Sequence, residues 1–480
     1  MKAVLTIAFI MVLTFVFGQR SGLVGGIYTL FPATEPANGL KNHNSVLPVI
    51  RVTQPADTGS QIVIAQKKHS ISVRFNPDFA SQYDTSLFYR AAAGVSIETF
   101  HNNKWYTRTS VSAGWSTREG QNQLHTAFLP LHNRNEFIYT NIRTRIAYTP
   151  NHYFHVAAGI DNQFFGEGYR SLLQSDQTAP NPFLLMRASI WRLEYGLLYQ
   201  FYHENTPTNR AWKFGATHYL SYNVTRNWNI TAFESVLFQP KDGQFNRAFE
   251  VEYLNPIVFF RPQEYSLGSS DNVLLGIQTS YRIKQHTLYG QLLLDEFVLK
   301  EIRSRSQWWA NKYGAQLGVK GKIRKWTYSV EGNLMRPYTF SHINDGQNGG
   351  NQGLPLAHPL GSNFVELLAQ VHYPITPQLA LQAYGVFQLK GYDNDSLSWG
   401  GDIYQSYGNR PKEYDNTIGQ GITLRTIRVG CQLIYTMPKW SSNVYVDPQV
   451  ALQWGDLQRS VTPAVTIGWR SSLFQERKQF

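Results

Sequence analysis

Two glycines flank Glu167 in the stretch FFGEGYRSLLQSD (164–176), and Tyr169, Arg170 and Asp176 follow. Glycines beside an arginine are ingredients of a phosphate-cradling loop or a catalytic turn. A dinucleotide loop needs more, namely a longer glycine run feeding a helix whose N-terminus faces the phosphate. The GEG at 166–168 is too short, no helical pattern follows it, and a Walker-type lysine is missing.

His358, Ser362 and Asn363 lie close together in HPLGSN (358–363), as in an outer-membrane phospholipase. There the His and Ser sit two apart on one strand and face the same way. Here Pro359 and Gly361 intervene and break a strand, so nucleophile and base lose their mutual reach. Carboxylates recur at Asp161, Glu167, Asp176, Glu250, Glu252, Asp271, Asp295, Glu296, Asp345 and Glu366, scattered over separate connections. A glycosidic pair would converge on one bond. This scatter reads as loop solvation and pairing with Arg170, Arg187 and Arg261. No HExxH occurs, and a single cysteine, Cys431, provides neither a zinc framework nor an internal disulfide. The expectation is a non-enzymatic chain with no cofactor.

The elements that hold these residues are legible from pattern. Lys2 and the apolar run Ala3–Phe17 read as a signal peptide, residues 1–18, cleaved after Gly18. No later run reaches the roughly eighteen apolar residues a spanning helix needs. Aromatics make up 14% of the 480 residues, which suits strands and membrane interfaces. From about residue 69 the chain alternates with period two. In QLALQAYGVFQL (378–389), Leu379, Leu381, Ala383, Gly385, Phe387 and Leu389 share a face opposite Gln382, Tyr384 and Gln388. Ile142, Thr144, Ile146 and Tyr148 likewise oppose Arg143 and Arg145, and Val429 and Leu433 oppose Arg428.

Short turns near 101–104, 149–152, 224–227, 284–285, 324–325, 375–377 and 438–439 alternate with long connections at 162–181, 239–271, 298–311, 338–361 and 392–419. That asymmetry predicts an all-β chain over 69–480: a transmembrane antiparallel β-barrel of the outer membrane, of about eighteen strands, with long extracellular loops. Residues 19–68 show no clear alternation and are expected to form a periplasmic extension or a plug. The net charge of +12 is spread along the chain. In an exported protein it points to anionic glycan or lipopolysaccharide phosphate, or to arginines lining a lumen, and not to nucleic acid.

Several motifs together resemble the RemB-like gliding-motility proteins of Bacteroidota: FFGEGYRSLLQSDQTAPNPF (164–183), EYLNPIVFFRPQEYSLGSSDNVLLG (252–276), LLLDEFVLKEI (292–302), WWANKYGAQLG (308–318), RPYTFSH (336–342), PLAHPLGSNFVE (355–366) and the C-terminal GWRSSLFQERKQF. The first also resembles its counterpart in the Wzi capsule-assembly family. The resemblance implies an eighteen-stranded, non-enzymatic outer-membrane barrel that helps attach or organise surface polysaccharide, tied to the cell surface and gliding machinery. Residues 19–68 do not resemble the helical periplasmic element of Wzi.

Chemistry then nominates residues for glycan binding or loop closure: Glu167, Tyr169, Arg170, Asp176, Arg261, Asp271, Trp308, Trp309, Arg336 and His358. Arg143, Arg145 and Arg428 are expected to face the lumen, as a porin-like channel would also require. Gly166 and Gly168 permit a sharp turn, Leu172 and Leu173 can pack inward, and Arg170 can pair with Glu167 or Asp176. The stretch 164–176 is therefore read as a folded loop that closes or shapes the barrel mouth.

Overall fold

A computed structural model describes residues 62–66, 69–84, 86–102, 104–117, 127–130, 136–205, 210–242, 245–246, 253, 271–296, 298–394, 396–440, 442–456 and 459–471. The expected signal peptide, most of 19–68, and Arg261 lie outside them. Eighteen antiparallel strands make the wall. They are β1 (His69–Tyr83), β2 (Leu87–His101), β3 (Trp105–Ser116), β4 (Phe137–Tyr148), β5 (Phe154–Asp161) and β6 (Asn181–Ile190). Next come β7 (Leu193–Asn205), β8 (Arg210–Asn223), β9 (Trp228–Phe238), β10 (Asn272–Ile283), β11 (His286–Glu296) and β12 (Lys312–Ile323). The wall ends with β13 (Trp326–Met335), β14 (Phe364–Pro374), β15 (Leu379–Tyr392), β16 (Ile422–Met437), β17 (Ser442–Gly455) and β18 (Arg459–Ser471). Each pairs with the next, and β1 closes the cylinder on β18 through Asp78–Tyr83 against Val465–Arg470. An additional strand, Ile62–Gln66, pairs with His69–Val73 of β1, beyond the stretch of β1 that β18 covers.

Burial is inverted relative to a water-soluble sheet. Ile146, Leu317, Leu367, Val429 and Leu433 are exposed on one face, whereas Arg74, Glu98, Gln278, Gln291, Glu331 and Glu366 are buried on the other. Alternation alone creates the two faces. Closure then decides that the apolar one looks outward, toward lipid, and leaves no unpaired strand edge in the membrane. No helix among the described residues is long and apolar enough to cross a membrane.

One end carries only tight turns. In the two-residue hairpins Trp191-Arg192, Lys284-Gln285 and Arg324-Lys325, the first residue takes the left-handed backbone that such turns demand. At the other end, the connections 117–136, 162–180, 239–271, 297–311, 336–363 and 393–421 span many residues, while those between β1 and β2, β7 and β8, and β17 and β18 span only a few. The wall is irregular beside one of these long connections. β5 pairs with β4 only over Thr144–Tyr148, and the strand Ala127–Pro130 takes over along Phe137–Thr140. β5 thus stops low, and the chain after Asp161 is free to turn inward.

Candidate functional site

The inward-turning connection 162–180 is the stretch singled out by its glycines, and it crosses the lumen. Phe165, Leu172 and Leu173 are almost fully buried and pack with lumen-facing Phe183, Leu198, Tyr219, Phe233, Leu274 and Leu293. Tyr169 packs on Leu368 of β14 and Val386 of β15. An apolar loop inside a polar cylinder needs its backbone groups satisfied, and side chains of the facing wall supply the partners.

The Tyr169 and Arg170 amides donate to the two carboxylate oxygens of Glu331, at 2.8 and 3.0 Å. Tyr289 and Asn333 donate to the same carboxylate, at 2.8 and 2.9 Å. The Leu172 amide donates to Gln291 Oε1 at 2.8 Å, Gln291 Nε2 donates to the Phe165 carbonyl at 3.1 Å, and Gln316 Nε2 donates to the Arg170 carbonyl at 3.0 Å. Lys320 Nζ lies 2.6 Å from both the Glu167 carbonyl and its carboxylate. Arg170 Nε meets Glu366 Oε1 at 3.2 Å with both side chains fully enclosed. Arg170 and Glu167 therefore pair with the wall and not with each other. The closing loop is held from across the barrel, because local pairing would leave the buried wall carboxylates uncompensated.

Gly168 is required by space. A Cβ at that position would stand 2.3 Å from Glu331 Oε2, the atom that receives the Tyr169 amide. Gly168→Ala is expected to push that carboxylate away and destabilise the loop by about 1–3 kcal/mol. Hydrogen exchange of residues 164–176 should speed up while exchange in β1 and β2 stays unchanged. Equal exchange in both variants would show that the carboxylate moves at no cost.

His358 and Glu366 complete the cluster. Glu366 Oε1 receives His358 Nε2–H at 2.9 Å, and Oε2 receives Gln388 Nε2 at 2.8 Å. The Leu360 amide donates to His358 Nδ1 at 3.2 Å, which fixes the neutral tautomer with its proton on Nε2. Burial pushes the imidazole below its ordinary pKa despite the favourable carboxylate beside it. Close as they are, His358 and Glu366 thus make a neutral-donor hydrogen bond and not an ion pair. Ser362 Oγ donates to the Gly400 carbonyl at 2.7 Å. Both ring nitrogens and the hydroxyl are engaged elsewhere, so His358 and Ser362 do not form a base–nucleophile pair.

Above the plug, the connections 297–311, 336–363 and 393–421 knit into a cap, and 239–271 joins it through Asp271. Arg336 Nη2 donates to the carbonyls of Trp308 and Asn416, each at 3.2 Å. Asn363 Nδ2 donates to the Gln420 carbonyl at 2.9 Å, and the Trp309 amide donates to the Glu413 carbonyl at 2.9 Å. Tyr253 OH donates to Asp271 at 2.6 Å, and Gln347 Nε2 donates to the same carboxylate at 3.1 Å. Trp309 lies 6.0 Å from Trp308, 4.7 Å from Tyr407 and 5.9 Å from Tyr338 between ring centroids, with the Arg410 guanidinium 4.1 Å above it. Trp308, Tyr407, Trp399 and Lys412 remain half-buried and Tyr414 is exposed, so ring edges and cations reach the outer surface.

The expected residues thus separate. Glu167, Tyr169, Arg170 and His358 meet in the plug cluster, and Trp308, Trp309 and Arg336 meet in the cap. Asp271 is buried beneath the cap, Asp176 is half-buried in the plug loop with Gln177 Nε2 3.4 Å from its Oδ1, and Arg261 is outside the described residues. Arg143, Arg145 and Arg428 share the lumen face of their strands. Arg145 pairs with Asp161 at 3.2 Å, and Arg143 and Arg428 are half-buried. Sequence reasoning missed Glu331, Gln291, Gln316 and Lys320. Their signal was an amide or charge at inward positions of consecutive strands, Gln278, Gln291, Gln316, Glu331 and Glu366, a pattern that a polar, water-filled lumen also shows and that therefore did not mark them as anchors.

No family model matches the chain, and no curated protein matches it in sequence. In structure it is similar to Wzi of Escherichia coli, described as an outer-membrane protein involved in group 1 capsule assembly and a carbohydrate-binding β-barrel. The TM-score is 0.52 at 13% identity, covering 82% of this chain and 84% of that one. It is also similar to OprD of Pseudomonas aeruginosa, at TM-score 0.45 and 7% identity over 83% and 94% of the two chains. The fold is that of outer-membrane proteins of Gram-negative bacteria, a closed eighteen-strand antiparallel barrel.

Proposed function

We propose that this barrel is a plugged, non-enzymatic anchor for surface polysaccharide, serving capsule assembly or attachment. The observation that carries the reading is the loop 162–180 anchored across the inside of the barrel, with a knitted cap beyond it that turns rings and cations outward. A plug tied to buried carboxylates suits holding a ligand outside better than passing one through. The apolar faces of sugar rings bury well against Trp308, Tyr407, Trp399 and Tyr414, while Arg410 and Lys412 favour acidic glycan. Wzi, which shares the fold, is itself described as carbohydrate-binding, and this agrees with the reading. Gliding is the cellular process suggested by the motif resemblance alone, and with it any contact to gliding machinery. Export by residues 1–18 belongs to the same proposal.

The test is retention of acidic polysaccharide by the detergent-purified protein. The double variant Trp308→Ala, Tyr414→Ala is expected to lose about tenfold in affinity, or about 1.4 kcal/mol, with the barrel intact by circular dichroism. Unchanged retention by the variant, or no retention by wild type together with normal capsule and spreading in a deletion strain, defeats the proposal.

A second reading, an anion-preferring diffusion channel, draws on a different part of the wall. Arg143 and Arg428 face the lumen half-buried, and the Arg90 and Arg108 side chains are 23% and 25% exposed there, on the side away from the plug's anchors. Large, steady, anion-selective currents from wild-type protein in planar bilayers favour this reading; silence favours the plugged anchor.

A further inference from the structure

The connection 297–311 has two halves of opposite character. Its second half is locked into the cap: the Trp309 amide donates to Glu413, the Asp415 amide donates to the Ser306 carbonyl, and Arg336 holds the Trp308 carbonyl. Its first half forms a short helix, α1 (Leu299–Arg303), directly beyond the outer end of β11. Val298, Leu299 and Ile302 are 42%, 50% and 43% exposed, an unusual apolar density for a connection that could have folded inward. Leu299 and Ile302 stand three apart and therefore share a helix face, with Arg303 beside Leu299 on it. Lys300, Arg303 and Arg305 are all exposed. The lone acid, Glu301, is turned away from them: its Oε2 receives Ser306 Oγ at 2.8 Å, which keeps it with the loop.

This exposed apolar face continues a belt already assigned to lipid. Leu288 and Leu292 of β11 and Leu317 of β12, the strands that the connection joins, are 44%, 41% and 73% exposed. Apolar side chains at the end of such a belt, flanked by three exposed cations while Glu301 is held by Ser306, match one arrangement in particular: acyl chain below, anionic headgroup above. The helix base is fixed, since the Val298 amide donates to Asn311 Oδ1 at 2.7 Å, so the face is presented in one place.

We propose that Val298–Arg305 is a docking site for a single outer-leaflet lipopolysaccharide, with Leu299 and Ile302 against its acyl chains and Lys300, Arg303 and Arg305 on the lipid A phosphates. The site fixes the rotation and height of the barrel in the membrane, and it is separate from the aromatic cap.

The experiment uses the full-length, delipidated protein in detergent and measures binding of bisphosphorylated and dephosphorylated lipid A by native mass spectrometry. Wild type is expected to prefer the bisphosphorylated form by about tenfold or more. The triple variant Lys300→Gln, Arg303→Gln, Arg305→Gln should lose that preference, and Leu299→Asn with Ile302→Asn should weaken both forms. Acidic polysaccharide retention should be unchanged in the triple variant, which separates failure here from failure of the anchor function. The proposal is overturned if wild type does not discriminate between the two lipids, a result that needs no variant to fold. It is equally overturned if the folded triple variant keeps the preference.

Discussion

Glu366→Ala unplugs the barrel. The carboxylate is the common partner of Arg170, His358 and Gln388, and all of these contacts are enclosed. Its removal leaves the Arg170 guanidinium buried without its charge partner, and breaking one side of such a pair costs about 3–5 kcal/mol. The wall does not depend on this carboxylate, because β14 keeps its full ladder to β13 and β15. The cost therefore falls on the loop 162–180, which leaves the lumen. In planar bilayers wild type should show little conductance, and Glu366→Ala should show discrete steps of a size that deleting 164–176 reproduces. Thermal unfolding should lose an early transition and keep the late one of the barrel. A folded Glu366→Ala barrel with wild-type conductance would contradict the plug. Glu366→Gln retains the shape and loses only the charge, so its conductance should fall between the two.

Lys312→Met should loosen the cap to a similar degree by the converse route. Lys312 Nζ lies 3.5 Å from Asp295, 3.2 Å from Glu296 and 3.3 Å from the Ser341 carbonyl, wholly enclosed. Asp295 in turn accepts the Phe340 amide at 2.8 Å, so one lysine neutralises the carboxylate that anchors the connection 336–363. Without it an uncompensated buried carboxylate remains, at a cost of about 3–5 kcal/mol. The Tyr407 ring, 4.7 Å from the ammonium, also loses its cation contact. Limited proteolysis should cut the variant within 336–363 while the strands stay protected, and glycan retention should fall along with that protection. Resistance equal to wild type would mean the cap is held by its other contacts alone.

Both expectations concern residues that look ordinary in the sequence. Glu366 is one acid among many near a loop mouth, and Asp295 another; neither spacing nor neighbours mark them as anchors. Arg170 reaches Glu366 from a connection far upstream, while His358 comes from the connection immediately before β14. The pairing with Arg170, between residues so distant in sequence, leaves no local trace. Spacing suggests Arg170 with Glu167, and the wall outcompetes that local pair because only the wall holds carboxylates that are already shielded from water.

By itself the sequence determined the cylinder. Period-two alternation sorts Leu379, Leu381 and Phe387 from Tyr384 and Gln388 whatever the rest of the chain does, and turn length orders the strands as neighbours. Strand number, antiparallel order and the lumen-facing position of Arg143, Arg145 and Arg428 follow from these local rules. The inside of the cylinder was decided only in three dimensions. Whether FFGEGYRSLLQSD faces water or crosses the lumen depends on β5 stopping at Asp161, on Glu331 and Glu366 standing opposite, and on the room that Gly168 leaves beside Glu331. Those conditions lie on strands far apart in sequence, and only closure of the barrel brings them within hydrogen-bond reach.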